Sequence, residues 1–198
     1  RLLKQQMEHE IRHVAVCESE KQPAIAQQAC RGADERSGEH DGRKDRLAEW
    51  IDEGLVHRLE RQTAVVGVMG LGYVGLPLAL AFTDAGLKVV GFDIDARKVE
   101  ALNAGRCYIE HLNATSIAAA VKNSQFEATT DFDRLNEPDA ILIAVPTPLT
   151  RQREPDTHFI VDTVQQIRPR LRPGQLIVLE STTYPGTTEE LVLPLLEE

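Results

Sequence analysis

Three glycines and one aspartate carry the clearest chemical pattern in this sequence. Gly70, Gly72 and Gly75 stand at the spacing G-x-G-x-x-G, and Asp93 lies 23 residues after the first of them. In such a loop the first glycine permits a tight turn, the second lets the backbone approach a pyrophosphate, and the third lets the next helix pack closely on the strand. An acid at this distance accepts hydrogen bonds from ribose hydroxyls and repels a 2′-phosphate. The pattern therefore predicts a dinucleotide site that prefers NAD to NADP.

The G-x-G-x-x-G spacing indicates a dinucleotide site only in the right structural context, because glycine turns in unrelated α/β proteins can have the same spacing. Here the glycines follow an apolar run typical of a strand and open a helical stretch, whose free N–H groups would bind phosphate. Asp93 lies at the end of the next apolar run. Arg97 and Lys98 stand close behind it and leave NADP open as the alternative.

Short apolar runs alternate with helical stretches from Thr63 onward. The runs lack in-and-out alternation, which is typical of strands buried on both faces of a parallel sheet. We expect strands at Thr63–Met69, Leu87–Phe92, Phe126–Thr129, Ala140–Val145 and Gln175–Leu179. We expect helices at Val74–Ala85, Ala96–Ala104, Asn113–Lys122 and Thr157–Leu171, and another after Pro185-Gly186. The predicted fold class for residues 63–198 is α/β, a Rossmann-like doubly wound parallel sheet.

The segment before this domain has a different composition. Residues 1–44 are polar, and we expect an extension that is disordered or weakly helical, with at most a short helix at 2–17. Residues 45–62 predict an amphipathic lead-in helix, because apolar side chains recur there at helical spacing. These side chains are Leu47, Trp50, Ile51, Leu55 and Leu59.

Charge and composition limit the function classes. The net charge of −9 gives no basic face for nucleic acid, and no apolar run approaches the roughly 20 residues of a membrane helix. Three scattered cysteines favour a reducing cytoplasm over a disulfide framework. The first residue is not Met and the last ones lie in a helical pattern, so we expect a fragment truncated at its C-terminus.

One further motif spells a metal site. His9, Glu10 and His13 form H-E-x-x-H, and Cys17 could join the same helix face. Such a motif binds zinc when it lies on a buried helix with a third ligand. Because this stretch is polar and no protease-like sequence surrounds it, we expect a chance match and no metal.

Three longer motifs, in chain order, make the pattern more specific. They are Gly70–Pro77, Val145–Leu149 and Glu180–Glu190, and together they resemble the UDP-glucose/GDP-mannose dehydrogenase family. The resemblance covers about Leu47 to Glu198 and only the N-terminal, NAD-binding domain of such enzymes. Three shorter stretches look closest to the UDP-N-acetylglucosamine 6-dehydrogenase branch: Gly105–Ile109, Pro148–Thr150 and Arg153–Asp156.

The resemblance implies an activity and a set of cofactor residues. Members oxidise C6 of a nucleotide sugar from alcohol to carboxylate with two NAD, supplying precursors for polysaccharides. By resemblance, Val74, Asp93 and Lys98 would contact the adenosine half of NAD, and Thr147 would lie beside the nicotinamide half. Thr183 would contact NAD and help hold the hydrolytic water, as the one catalytic residue predicted here. The predicted cofactor-binding set also includes Gly70, Gly72, Tyr73, Gly75, Val145 and Pro146.

Thr147 and Thr183 have a second interpretation. Both lie beside prolines after strands, where turn chemistry alone favours such residues. Glu180 either orients a ligand or is a solvated or helix-capping charge at a strand end.

The resemblance also implies what this chain lacks. The cysteine nucleophile of the family belongs to a later segment, and Cys107 is expected to be only a small, half-buried side chain. We therefore expect a UDP-sugar substrate and a homo-oligomer for the full-length enzyme, and an inactive fragment here. A stand-alone NAD-binding module and the cofactor domain of a 3-hydroxy acid dehydrogenase are the alternatives. The motifs at Val145–Leu149 and Glu180–Glu190 argue against the second of them.

Overall fold

A computed structural model describes residues 14–16, 53–110, 112–151 and 155–197. The H-E-x-x-H motif lies outside these residues, as do most of the polar extension and the first part of the lead-in helix up to Asp52.

Five parallel strands form the centre of the molecule. They are β2 (Val65–Met69), β3 (Lys88–Phe92), β4 (Phe126–Thr129), β5 (Ala140–Ile143) and β6 (Leu176–Leu179). Their order across the sheet is β4-β3-β2-β5-β6. The chain therefore runs outward from β2 in one direction and then restarts beside β2 with β5, which is the Rossmann arrangement with its switch point between these two strands. The predicted fold class is confirmed.

A sixth strand, β1 (Val14–Val16), corrects the prediction for the extension. It pairs antiparallel with β6, with Val14 opposite Val178 and Val16 opposite Leu176. The short helix expected over residues 2–17 is therefore wrong for these three residues, and the sheet is mixed rather than wholly parallel. Local sequence could not show this, because the strand is defined by pairing with residues far along the chain.

Helices cover both faces of the sheet, mostly where the apolar spacing predicts them. They are α1 (Glu53–Glu60), α2 (Gly75–Asp84), α3 (Ala96–Asn103), α4 (Ala114–Lys122), α5 (His158–Ile167) and α6 (Leu193–Glu197). Helix α5 ends earlier than predicted, and a 3-10 turn at Arg168–Arg170 follows it. Pro169 explains this end, because proline has no N–H to continue the helix and disfavours helical backbone before it. After Gly186 the chain forms a π-helical turn, Thr188–Val192, before α6.

Two apolar clusters lie on opposite sides of the sheet. One includes Val66 and Val68 of β2 with Leu76 of α2 and Ile117 of α4, all fully buried or nearly so. The other includes Met69 of β2 and packs against α5. Successive strand side chains point to opposite faces, so an uninterrupted apolar run supplies both clusters. This core holds the carboxyl ends of the strands in place, and the loops that carry the predicted site begin there.

Candidate functional site

The glycine loop begins where β2 ends. The N–H of Gly70 donates to the carbonyl of Phe92, the last residue of β3, at 2.8 Å. Gly70 has a φ of +91°, and a Cβ there would lie 2.7 Å from the carbonyl oxygen of Ala144. Both the backbone conformation and the space therefore require glycine. The turn closes tightly against the ends of β3 and β5, as the motif predicts.

The other two glycines serve opposite purposes. A Cβ on Gly75 would lie 1.8 Å from the carbonyl oxygen of Gly70, so the helix and the turn touch through this position. A Cβ on Gly72 would meet no heavy atom of the described chain within 4 Å. Nothing in the fold requires glycine at Gly72, whereas a pyrophosphate approaching the backbone would. The loop therefore fits a dinucleotide.

The start of α2 suits an anion. Its N-cap, Val74, makes no side-chain cap, and the first turn, all of which is described, has no acidic residue. The first N–H groups of a helix lack partners within the helix, and the helix dipole adds partial positive charge there. Pro77 carries no N–H, and in the first turn this costs no helical bond. The N–H of Leu76 already donates to the carbonyl of Gly72 at 3.1 Å, so the donors left for phosphate oxygens are the N–H groups of Gly72 to Gly75.

Asp93 is buried, with 6 % of its surface exposed, and its carboxylate is held by the backbone. One oxygen accepts from the N–H of Leu71 at 3.0 Å, and the other accepts from the N–H of Asp95 at 2.9 Å. Lys98 Nζ lies 3.3 Å from the first oxygen. The sequence predicts a ribose acceptor at this position. The structure adds that the same carboxylate fixes the glycine loop, and this second role follows from no local pattern.

The basic residues behind Asp93 are both paired. Lys98 pairs with Asp93, while Arg97 donates to both carboxylate oxygens of Asp95 at 3.0 and 2.9 Å. The hydrogen bond from Arg97 lowers the pKa of the Asp95 carboxyl. Both cations that follow Asp93 closely in sequence therefore already have an acidic partner, which favours NAD.

Tyr108 also reaches the glycine loop, although the sequence predicts no site role for it. Its hydroxyl donates to the carbonyl oxygen of Leu71, and Lys98 Nζ lies 5.9 Å from the centre of its ring. Burial raises the pKa of the Tyr108 hydroxyl, and the charge of Asp93 raises it further. The hydroxyl therefore stays protonated as a donor. The only sequence signal was its place in the stretch Gly105–Ile109.

The loops after β5 and β6 are tied to each other. Thr147 Oγ1 donates to the carbonyl oxygen of Thr182 at 2.7 Å, and Ser181 Oγ donates to that of Val145 at 2.8 Å. Thr147 is therefore next in space to the residue that precedes Thr183. The Thr147 hydroxyl can still accept a hydrogen bond from a ligand. Thr183 is partly buried.

Of the other predicted residues in these loops, Pro146 is exposed, and the Glu180 backbone N–H donates to the carbonyl of Ile143 at 2.9 Å. Cys107 is half-buried against the first core cluster, and its thiol donates to the carbonyl oxygen of Ile109 at 3.3 Å. It has the surroundings of a packing residue.

Large exposed apolar side chains gather at the same edge. Among the described residues they all lie in the loops after β2, β3, β5 and β6, and they are Tyr73, Val74, Ile94, Leu149 and Tyr184. Tyr73 and Ile94 are 80 % and 81 % exposed. Exposed apolar groups concentrated in one place indicate a binding surface, and a ligand with planar rings would cover them.

The comparisons with known proteins agree with this geometry. The sequence profile of the UDP-glucose/GDP-mannose dehydrogenase family, NAD-binding domain, matches residues 64–198. This chain belongs to that family. Its cofactor is NAD, and members of the family are NAD-dependent nucleotide-sugar dehydrogenases. Membership also separates it from the 3-hydroxy acid dehydrogenases considered above.

Individual relatives within the family are similar over the same part. UDP-N-acetyl-D-mannosamine dehydrogenase of Yersinia pestis is 39 % identical over 127 residues, which is 64 % of this chain and 30 % of that protein. NDP-N-acetyl-D-galactosaminuronic acid dehydrogenase of Ralstonia nicotianae is 41 % identical over 128 residues, or 64 % and 29 %. The crystal structure of the latter type of enzyme from Methanosarcina mazei matches with a TM-score of 0.63 and 36 % identity, over 72 % of this chain and 33 % of that one. The chain thus spans about a third of the length of these relatives.

The described residues also bear on two other functions, membrane insertion and metal binding. No helix among them has the length and apolar character needed to cross a membrane. No group of three or more His, Cys, Asp or Glu side chains in these ranges is placed to hold a metal ion. His9 and His13 of the H-E-x-x-H motif lie outside the described residues.

Proposed function

We propose that this chain is the cofactor-binding part of an enzyme that oxidises C6 of a UDP-linked sugar to a carboxylate. Two hydrides leave C6, each to one NAD, and water supplies the second carboxylate oxygen. The observation that carries the proposal is the open space at Gly72, in a loop that the rest of the fold closes tightly. The loops on the other side of the switch point carry Thr147 and Thr183 toward the same edge.

Each region of the site has a role in this proposal. The N–H groups of Gly72 to Gly75 bind the pyrophosphate, and Asp93 accepts from the adenosine ribose. Lys98 and Val74 border the adenosine half. Thr147 orients the nicotinamide half, and Thr183 holds the water that hydrolyses the product of the second oxidation.

For the substrate, we propose a UDP-linked N-acetylated hexosamine in a route to polysaccharide precursors. The sequence favours UDP-N-acetylglucosamine, whereas the relatives reported above are named for N-acetylmannosamine and N-acetylgalactosaminuronic acid. The full-length enzyme, as a cytoplasmic homo-oligomer, is the form in which the substrate should be assigned. NADH production from the three UDP-N-acetylhexosamines and from UDP-glucose would test this. Preference for UDP-glucose would contradict the proposed substrate class.

Titration with NADH tests the cofactor part directly on this chain. Gly72→Val should reduce binding below detection, because the valine side chain fills the space of the pyrophosphate, while thermal unfolding stays cooperative. Ala119→Val, which places a valine at an exposed position of α4, is the matched control and should bind like the original chain. NADH binding that survives Gly72→Val within a few-fold would show that the pyrophosphate lies elsewhere.

A further inference from the structure

Tyr108 lies on the connection between α3 and α4, outside the loops that follow the strands, yet its hydroxyl reaches the glycine loop. We propose that Tyr108 is a positioning residue that holds this loop in the conformation that binds NAD. The inference rests on the proposed placement of the pyrophosphate at Gly70–Gly75. It assigns a role to a segment that the nucleotide motif does not include.

Leu71, between the first two glycines, is held from three directions. Its N–H donates to Asp93, and its carbonyl accepts from Tyr108. Its side chain is fully buried against β3, where a Cβ on Gly91 would lie 2.7 Å from Leu71 Cδ2. Glycines on both sides give this part of the loop unusual freedom. Bonds at both peptide groups of Leu71 remove that freedom before a ligand arrives.

Lys98 joins the two side chains that hold Leu71. Its ammonium lies 3.3 Å from Asp93 Oδ2 and 5.9 Å from the centre of the Tyr108 ring, where the ring electrons attract a cation. Asp93, Lys98 and Tyr108 therefore form one connected group, which we term the Leu71 clamp. Because Ile109 is buried in the first core cluster, the segment that carries Tyr108 is itself fixed.

The Leu71 clamp should raise the affinity for NAD by keeping the glycine loop ordered in the free protein. A loop that must be ordered on binding lowers affinity by the free energy of that ordering, and a preformed loop avoids this cost. One neutral hydrogen bond has a modest net value, so its loss should weaken binding about three- to tenfold. The effect should be confined to ligands that use the loop.

Tyr108→Phe in the full chain is the sharpest test, because it removes the hydroxyl and keeps the ring near Lys98. The Kd for NADH and for ADP-ribose should rise about three- to tenfold, while the weak affinity for adenosine, measured by NMR titration, stays unchanged. Thr163→Val is the matched control, since the Thr163 hydroxyl also donates to a backbone carbonyl, that of Phe159 at 2.7 Å on α5. It should leave NADH affinity unchanged.

Amide hydrogen exchange in the free chain supplies a measurement that a general loss of stability would not reproduce. In Tyr108→Phe the amides of Leu71 and Gly72 should exchange faster, while those of β5 and β6 keep their rates. Uniformly faster exchange would overturn the positioning role. Equal loss of affinity for adenosine would also overturn it, because it would mean direct contact with the nucleoside.

Two variants distinguish failure of the role proposed for Tyr108 from failure of the proposed pyrophosphate site. If Tyr108→Phe binds NADH normally while Gly72→Val does not bind it, the role of Tyr108 is overturned and the pyrophosphate site stands. If Gly72→Val binds NADH normally, the pyrophosphate site is wrong and the inference about Tyr108 falls with it.

Discussion

The glycine loop follows β2, and two further loops follow β5 and β6; we call these two the threonine loops, because they carry Thr147 and Thr183. All three loops lie on the same edge of the sheet, but the glycine loop and the threonine loops are held by different groups. The glycine loop is held by contacts that only glycine permits and by a buried carboxylate. The threonine loops are held by hydroxyls that donate to carbonyls of the neighbouring loop. In the glycine loop, the open space at Gly72 has no role in the fold and so points to a ligand. In the threonine loops, the hydroxyls of Thr147 and Ser181 already donate to backbone carbonyls, so their presence can be explained by the fold alone. A function can therefore be assigned more directly to the glycine loop.

The largest expected effect is the contrast between cofactor binding by the glycine loop and catalytic turnover, which the threonine loops alone should not support. The purified chain should bind NADH but show no sustained NADH production with any UDP-sugar, because hydride transfer needs a sugar held against the nicotinamide. By family resemblance the thiol for the second oxidation lies after the Rossmann strands, and Cys17, Cys30 and Cys107 all precede β6. An absorbance assay with excess NAD and UDP-N-acetylglucosamine measures this. Turnover that disappears in Cys107→Ser would contradict this prediction, because it would show that Cys107 itself supplies the thiol.

Two alanine variants distinguish the glycine that the fold requires, Gly75, from the glycine that the ligand requires, Gly72. Gly75→Ala should lower the free energy of unfolding by about 3 kcal/mol or more, because the added Cβ clashes with the carbonyl of Gly70. Gly72→Ala should leave it unchanged or raise it by up to about 1 kcal/mol, since the unfolded chain loses freedom and nothing in the fold is touched. Urea unfolding curves compare them. Similar destabilisation by both would mean that Gly72 also serves the fold.

Asp93→Ala tests the carboxylate that holds the glycine loop. NADH affinity should fall about 10- to 100-fold, because a charged acceptor is lost both for the ribose and for the Leu71 N–H. NADPH affinity should fall less, since the released Lys98 can then meet a 2′-phosphate. Fluorescence titration with both cofactors measures the change in preference. Asp131→Ala is the control, because Asp131 also follows a strand and accepts a backbone N–H bond, at 3.0 Å from Asp133. Tighter binding of NADPH than NADH by the unmodified chain would contradict the assignment.

Thr147→Val should have the smallest effect. It removes one hydrogen bond between the threonine loops, so NADH should bind about two- to tenfold more weakly. ADP-ribose, which lacks the nicotinamide, should keep its affinity. Thr163→Val again serves as the control for loss of a donated hydroxyl bond. If ADP-ribose loses as much affinity as NADH, the two regions are coupled and the contrast drawn between them is wrong.

Local patterns were enough to predict the strands and the glycine loop. The strand Ala140–Ile143 lies within the predicted Ala140–Val145, because an uninterrupted apolar run is visible from neighbouring residues alone. The clamp was not predictable in this way, since Tyr108 and Leu71 are 37 residues apart and no period links them. The two roles of Asp93 show the same limit. Its distance from Gly70 predicts a ribose contact, while its bond to Leu71 depends on how β2 and β3 align.

The antiparallel pairing of β1 with β6 has a consequence for the order of folding. Val14 and Val178 are 164 residues apart, whereas Val66 of β2 and its β5 partner Ala140 are 74 apart. Contacts between distant residues require a larger loss of chain entropy before any pairing energy is gained. The five parallel strands should therefore assemble first and β1 should join last. The same strand should be the first to detach on unfolding, leaving the amides of β6 open to exchange while those of β2 remain protected.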